Sequence, residues 1–242
     1  MWLRQMIICQ NYTSLKKETD INMTLFLLLA VLFAFAQALV VHFDRRRLEH
    51  ITKPAVMLFL LAYLFSQNNG RTPLLWFSLG IFFSLAGDIF LIAPDRFLPG
   101  LVAFLLAHVC YIIGLNLPPA PLSALTLGLA IFIALTVFPV IRRILLAMRH
   151  SGQDALVAPV QIYATVITLM LLSALLTIFR TDWTISAAML VGLGAFFFIA
   201  SDVVLAWNKF VAPLTHGRLV NIVLYQLGQI LLVIGAAMQF SG

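Results

Sequence analysis

Charge is scarce in this 242-residue chain, where Asp, Glu, Lys and Arg together make only 10%. A typical soluble domain carries roughly 25%, so the chain cannot cover a water-facing surface. It also lacks any polar stretch long enough to bury a core of its own, which excludes a separate soluble domain. Cysteine is nearly absent: Cys9 and Cys110 are too few for a disulfide framework, and Cys110 falls in an apolar run as a small packing residue. The sequence contains no C-x-x-C, no H-E-x-x-H and no G-x-S-x-G. No zinc site, cofactor fingerprint or serine-nucleophile elbow is therefore expected, and no metal or cofactor is assigned.

Apolar residues fill the space that charge leaves. They make 62% of the chain, with 20 Phe, and mean hydropathy is +1.04. That is the composition of an all-α, polytopic membrane helix bundle. The net charge of +6 asks for no nucleic-acid partner, because cytoplasm-facing joints supply a basic excess.

Residues 1–22 form a mixed, polar leader whose apolar part, Met6 to Cys9, is too short for a signal peptide. Met23 directly precedes the first long apolar run. A chain starting there is expected to insert and work like the full one, with residues 23–242 as a single integral membrane domain. A helix crossing a hydrocarbon core of roughly 30 Å needs about 20 residues. Candidate spans are 24–43, 53–67, 74–93, 98–116, 122–141, 155–179, 184–206 and 218–240. The second is short and opens at Lys53-Pro54, where proline suits a first helical turn; were it re-entrant, seven spans would remain.

The joints after spans 1, 3, 5 and 7 carry Arg45, Arg46, Arg47, Lys53, Arg96, Arg142, Arg143, Arg149, Lys209 and Arg218, and the opposite joints only Arg71 and Arg180. The positive-inside rule puts joints 44–52, 94–97, 142–154 and 207–217 in the cytoplasm and both termini outside. An internal echo accompanies this alternation. Phe83-Ser-Leu-Ala-Gly-Asp-Ile-Phe-Leu91 resembles Phe197-Phe-Ile-Ala-Ser-Asp-Val-Val-Leu205, and the same offset matches Tyr111 to Tyr225 and Gly114 to Gly228. Spans 1–4 and 5–8 then read as tandem four-helix repeats.

The echo contains the two acids buried in spans, Asp88 and Asp202. An ionisable group at membrane depth costs about 2.5–3.5 kcal/mol on insertion scales and marks a functional site by default. A single carboxylate near a helix end could equally snorkel, or pair with Lys53 or Lys209. Two of them, each about four or five residues from the basic end of its span, favour a shared site. Other polar groups gather in the same half of the bilayer. His108 and Tyr111 lie one turn apart on span 4, Tyr163 follows Pro159 on span 6, and Tyr225 is on span 8. Lys53 enters span 2, and Asn208-Lys209 close span 7. Each alone has a structural account, interfacial Tyr most of all. Together they point to a polar cavity open toward the cytoplasm.

These residues also carry a family resemblance. Lys53-Pro54, then Gly87-Asp88-x-x-Leu91, then Phe97-x-x-Gly100-x-x-x-Phe104-x-x-x-His108-x-x-Tyr111 form one block. Pro159-x-x-x-Tyr163, Gly194-Ala-x-x-Phe198-x-x-Ser201-Asp202-x-x-Leu205-Ala206-x-Asn208-Lys209-Phe210 and Tyr225-Gln226 form the other. Over residues 25–240 the chain resembles the YhhN family, which includes the TMEM86 lysoplasmalogenases. The resemblance implies a cofactor-independent hydrolase of the vinyl ether bond of lysoplasmalogens, releasing a fatty aldehyde and a glycerophospho-ethanolamine or -choline. Asp88 and Asp202 would be its catalytic pair. Protonation of the alkenyl carbon gives an oxocarbenium ion that water traps, so one carboxyl must hold a proton and the other stay ionised. Lys209 lies near Asp202 in the sequence, which suggests Asp202 as base and Asp88 as acid. His108, Tyr111, Tyr163, Asn208 and Tyr225 would orient substrate and water, with Lys53 or Lys209 near the phosphate.

A lysophospholipid within the bilayer is the implied partner, and short joints suggest a bacterial inner membrane. A small-molecule or proton-coupled transporter is the alternative. It needs ionisable groups at the midplane and access from both sides. A non-catalytic lipid-binding protein would not need two buried acids.

Overall fold

The computed structural model describes residues 24–67, 70–120 and 123–241; the leader, and every expectation placed on it, lies outside them. Eight helices are long and apolar enough to cross a membrane: α1 (Thr24–His42), α2 (Arg46–Gln67), α3 (Thr72–Phe90), α4 (Phe97–Leu115), α5 (Ala124–His150), α6 (Asp154–Leu176, continued by a 3-10 turn to Phe179), α7 (Ile185–Phe210) and α8 (Gly217–Phe240). No strand occurs among the described residues. The protein is an integral, multi-pass membrane protein.

The local rules of helix ends account for most boundaries. Ser123 caps α5 by accepting from the Thr126 N–H at 3.2 Å, and proline stands in the first turn of α3. At the other end of α5 Ser151 is followed by Gly152 at φ +71°, the left-handed residue that ends a helix. Two expectations from hydropathy need correcting. The second span is full length, because α2 begins at Arg46 and Pro54 lies inside it. Its first two turns are polar, so a search for apolar runs takes them for a joint. At the far end of the fifth span, α5 runs past Arg142 and Arg143 to His150. The joint there is therefore 151–153 rather than 142–154.

The joints 43–45, 91–96, 151–153 and 211–216 meet at one basic end of the bundle. Arg218, opening α8, donates to Asp44 Oδ1 at 2.9 Å and to Glu49 Oε1 at 2.6 Å, tying the first joint to the last. Phe97 and Phe210 meet edge-on at 5.7 Å, tying the second to the last. In cells carrying Ser151→Cys with both native cysteines replaced, labelling is expected from the cytoplasmic side alone; reagent entering from outside would reverse the orientation. Met148, the more obvious reporter on this stretch, is fully buried.

Helices in lipid gain little from burying apolar surface, so close packing decides their pairing. The tightest pairs are α7 with α8 and α3 with α4, the two hairpins of the sequence echo. A Cβ at Gly194 would stand 2.8 Å from the Gly228 carbonyl oxygen, and one at Gly228 would stand 2.9 Å from the Gly194 oxygen. Here backbone meets backbone. The corresponding glycines of the first hairpin, Gly80 and Gly114, face the rings of Tyr111 and Phe77 instead. Toward the end opposite the basic joints, the interior is filled by Leu74, Phe77, Leu115, Val191, Leu232 and Val233, all inaccessible. Helix α5 stands apart from this core. It packs on α6 and α7, and most of its residues before Pro139 remain exposed.

Candidate functional site

Asp88 lies in the last turn of α3, and Asp202 more than two turns before the end of α7. The equal spacing from the basic ends expected from the spans is therefore not found, yet both residues line one cavity. It encloses about 100 Å³ among α2–α8, a narrow slot beside the ~300–1,000 Å³ of sites for drug-sized ligands. Its polar wall is Lys53, Asp88, Tyr163, Ser201, Asp202, Asn221 and Tyr225. The opposite wall is apolar: Leu101 and Phe104 from α4, Val137, Ile141 and Ile144 from α5, and Ile167 from α6.

Each aspartate has its own set of partners. Asp88 is inaccessible. Lys53 Nζ stands 3.0 Å from its Oδ1, and the Tyr225 hydroxyl donates to its Oδ2 at 2.9 Å. Asp202 is half-buried and receives the Tyr163 hydroxyl on Oδ2 at 2.5 Å. Behind Tyr163, His108 Nε2 is 2.9 Å from the tyrosyl oxygen and 3.9 Å from Asp202 Oδ2. A hydroxyl that donates to the carboxylate can still accept from an Nε2–H, so His108, Tyr163 and Asp202 form a continuous hydrogen-bonded chain. His108 is fully buried, and its Nδ1 has no partner among the described residues.

The contacts follow the echo at the level of helices. Asp88 on α3 is met from α2 and α8, and Asp202 on α7 from α6 and α4. Counted by the repeat, α6 answers to α2 and α4 to α8. The residues differ, however: a lysine and a tyrosine hold Asp88, while a tyrosine and a histidine hold Asp202. The two carboxyls of the echo thus stand in electrostatically different surroundings. Aromatic edges hold the polar groups still. Tyr225 packs edge-on against Phe104 and Phe198 at 5.7 and 5.3 Å, and His108 against Phe198 at 4.7 Å.

Of the residues singled out from sequence, Asp88, Asp202, Lys53, Tyr163 and Tyr225 come together at the cavity wall, with His108 directly behind. Three do not. Tyr111 donates to Gln229 Oε1 at 2.7 Å, and Gln229 donates in turn to Ser84 at 2.9 Å; this chain crosslinks α3, α4 and α8 away from the cavity. Asn208 shapes the α7–α8 joint: its Oδ1 accepts from the Leu214 N–H at 2.5 Å, and its side chain fills the space a Cβ at Gly217 would need. Lys209 is not beside Asp202 but over the rings of Phe97 and Phe210, at 4.6 and 5.7 Å. The cation next to a carboxylate is Lys53, and the carboxylate is Asp88. That pairing removes the ground for reading Asp202 as the charge-paired base.

Ser201 was passed over as a motif neighbour. Its hydroxyl donates to the Phe198 carbonyl at 2.7 Å and lies 3.4 Å from Asp202 Oδ1. Asn221 donates to the Ser201 carbonyl at 2.8 Å. The sequence adjacency of Ser201 to Asp202 was the available signal. The α5 wall carried none, being ordinary apolar residues. Among the described residues no cluster of three or more His, Cys, Asp or Glu could hold a metal ion.

The profile of the YhhN family matches residues 48–236, the stretch that holds every residue of the cavity. A human protein named lysoplasmalogenase TMEM86B is 32% identical over 183 residues, 76% of this chain and 72% of the relative. Human lysoplasmalogenase TMEM86A is 30% identical over 184 residues, covering 74% and 72%. A Mycobacterium tuberculosis protein named lysoplasmalogenase is 32% identical over 167 residues, 68% of this chain and 60% of its own. No solved structure matches.

Proposed function

The chain belongs to the YhhN family, and from that premise we propose that it is a lysoplasmalogenase, hydrolysing the vinyl ether bond of a lysophospholipid within the membrane. The observation that carries the reading is the meeting of Asp88 and Asp202, from two echoed helices, in one cavity with an apolar wall. The apolar side receives the single hydrocarbon chain, and the polar side faces the glycerol ether.

In the reaction proposed, Asp202 is the acid. Its carboxyl gives a proton to the alkenyl carbon distal to oxygen, and the double-bond electrons form that new C–H bond. The remaining carbon shares its positive charge with the ether oxygen. Asp88, with Lys53 as its counter-charge, stays ionised and stabilises the cation. Water then adds to the cationic carbon and gives its proton to Asp202, now ionised, which restores the acid. The hemiacetal passes its O–H proton to the ether oxygen as the C–O bond breaks, releasing aldehyde and glycerol hydroxyl. Tyr163, backed by His108, orients the Asp202 carboxyl. This order of roles is the reverse of the one suggested by sequence. It is supported by where the cation stands, since Lys53 contacts Asp88, whereas among the described residues the one basic side chain within ion-pair distance of Asp202 is His108.

A transport reading is not favoured. The relatives are hydrolases by name, and the interior beyond the two acids is a packed apolar core. Short joints support a bacterial inner membrane as the setting. Purified protein in detergent, given lysoplasmenylethanolamine, is expected to release fatty aldehyde with no added metal or cofactor. Absence of aldehyde from folded protein would overturn the reading.

A further inference from the structure

Four neutral polar side chains on the cavity wall already donate within the protein. Tyr163 donates to Asp202 and Tyr225 to Asp88, while Ser201 and Thr168 donate to the Phe198 and Ala164 carbonyls of their own helices. Asn221 is used on one side only. Its Nδ2 donates to the Ser201 carbonyl at 2.8 Å. That bond leaves the amide one orientation, because a carbonyl oxygen cannot donate. Its Oδ1 therefore faces away from Ser201, and nothing among the described residues donates to it. Asn221 is half-buried and lines the cavity, so an acceptor stands free at the wall.

Its place fits one part of a lysophospholipid. Asn221 precedes Tyr225 by four residues, so the two share a face of α8, with Asn221 about 6 Å nearer the basic end. Tyr225 holds Asp88, and the carbonyl that Asn221 grips belongs to the residue before Asp202. The amide is thus placed beside both acids, on the side toward the basic end. A vinyl ether set between the acids has its hydrocarbon chain on one side and its glycerol on the other. The chain follows the apolar wall, and the glycerol, whose phosphate must reach water, leads toward the basic end. The first glycerol carbon beyond the ether carbon, sn-2, carries a hydroxyl.

We propose that Asn221 Oδ1 accepts a hydrogen bond from the sn-2 hydroxyl of the lipid, and that this residue selects glycerol ethers in which that hydroxyl is free. The proposal rests on the lysoplasmalogenase reading and deepens it by naming the group that reads the second glycerol position. A lipid acylated there has no hydrogen to give, and its second chain must also find room in a narrow slot. A site built to pair a substrate hydroxyl discriminates against an analogue without it, because its own polar group is left unsatisfied. The bond from Nδ2 to Ser201 orients the amide in advance, which lowers the cost of ordering it when the lipid binds.

A two-by-two comparison of residue and hydroxyl tests this. kcat/KM for aldehyde release is measured on 1-alkenyl-glycerophosphoethanolamine and on its 2-deoxy analogue, with the full chain and with Asn221→Leu in detergent. Wild type is expected to prefer the hydroxyl-bearing lipid by about tenfold to a hundredfold, the range for one buried group left unpaired. In Asn221→Leu that ratio should fall close to one. Loss of the tie to Ser201, or of a site for the attacking water, would slow both lipids alike and leave the ratio standing. That result would overturn the proposal, and so would a wild type with no preference. Asn221→Ala enters the same comparison should the leucine variant not fold. The saturated 1-alkyl pair, with and without the hydroxyl, separates this from the functional reading, because it binds without being cleaved. A wild type that releases no aldehyde yet binds the hydroxyl-bearing ether more tightly by thermal shift, with the preference lost in the variant, would overturn the functional reading and leave the role of Asn221 standing. Where no aldehyde is released, equal binding of the two ethers overturns that role as well.

Discussion

Asp88→Asn and Asp202→Asn are each expected to lower aldehyde release by at least the about 10²–10⁴-fold that general acid–base assistance provides. Asparagine keeps the shape of the side chain and an acceptor for the local tyrosine. Tyr225 can still donate at position 88 and Tyr163 at position 202, at sites where the hydroxyls now stand 2.9 and 2.5 Å from carboxylate oxygens. What disappears is the titratable proton at 202 and the fixed negative charge at 88. The two losses act on one transition state, the first by failing to form the cation and the second by failing to stabilise it. The double variant should therefore be little slower than either single, as for other groups that work as a unit. Expression and thermal unfolding of the singles in detergent are the controls. Near-wild-type aldehyde release from either folded single variant would remove the two-carboxylate mechanism.

Residue by residue, the sequence was legible where a single side chain carries its own cost. An aspartate at membrane depth announces itself through the expense of its charge, and Asp88 and Asp202 were found that way. The eight spans were found from hydropathy, but their ends were misread wherever polar residues continue a helix beyond the apolar stretch. The first turns of α2 and the last turns of α5 are such places, since a helix at a membrane surface needs no apolar face all round. Pairings across the bundle were not legible. That Lys53 reaches Asp88 while Lys209 turns away to Phe97 depends on which helices are neighbours, and sequence distance points the wrong way. Asn208 misled for a related reason: a side chain that closes a joint stands as near the acid in the sequence as one that binds a substrate.

Lys53→Met is expected to be strongly destabilising, by about 3–5 kcal/mol, the cost of removing one partner from a buried ion pair. The asymmetry of burial makes this direction the severe one. The Lys53 side chain keeps 16% of its surface exposed and the Asp88 side chain only 1%. A lysine left alone can extend its long stem toward the rim, whereas the aspartate, at the end of one methylene, cannot leave. Asp88→Asn should accordingly cost much less stability than Lys53→Met, although both stop turnover. Replacing the pair together, as Lys53→Met/Asp88→Leu, removes both buried charges and leaves apolar volume beside Met57 and Tyr225. Such replacements are neutral or stabilising by about 1–4 kcal/mol, so the double variant should unfold at or above the wild-type temperature and release no aldehyde. That combination, stability restored with activity absent, would mean that the ion pair is kept for chemistry and not for the fold. A Lys53→Met variant as stable as wild type, or a double variant as unstable as Lys53→Met, would refute the pair as the means by which Asp88 holds its charge inside the bundle.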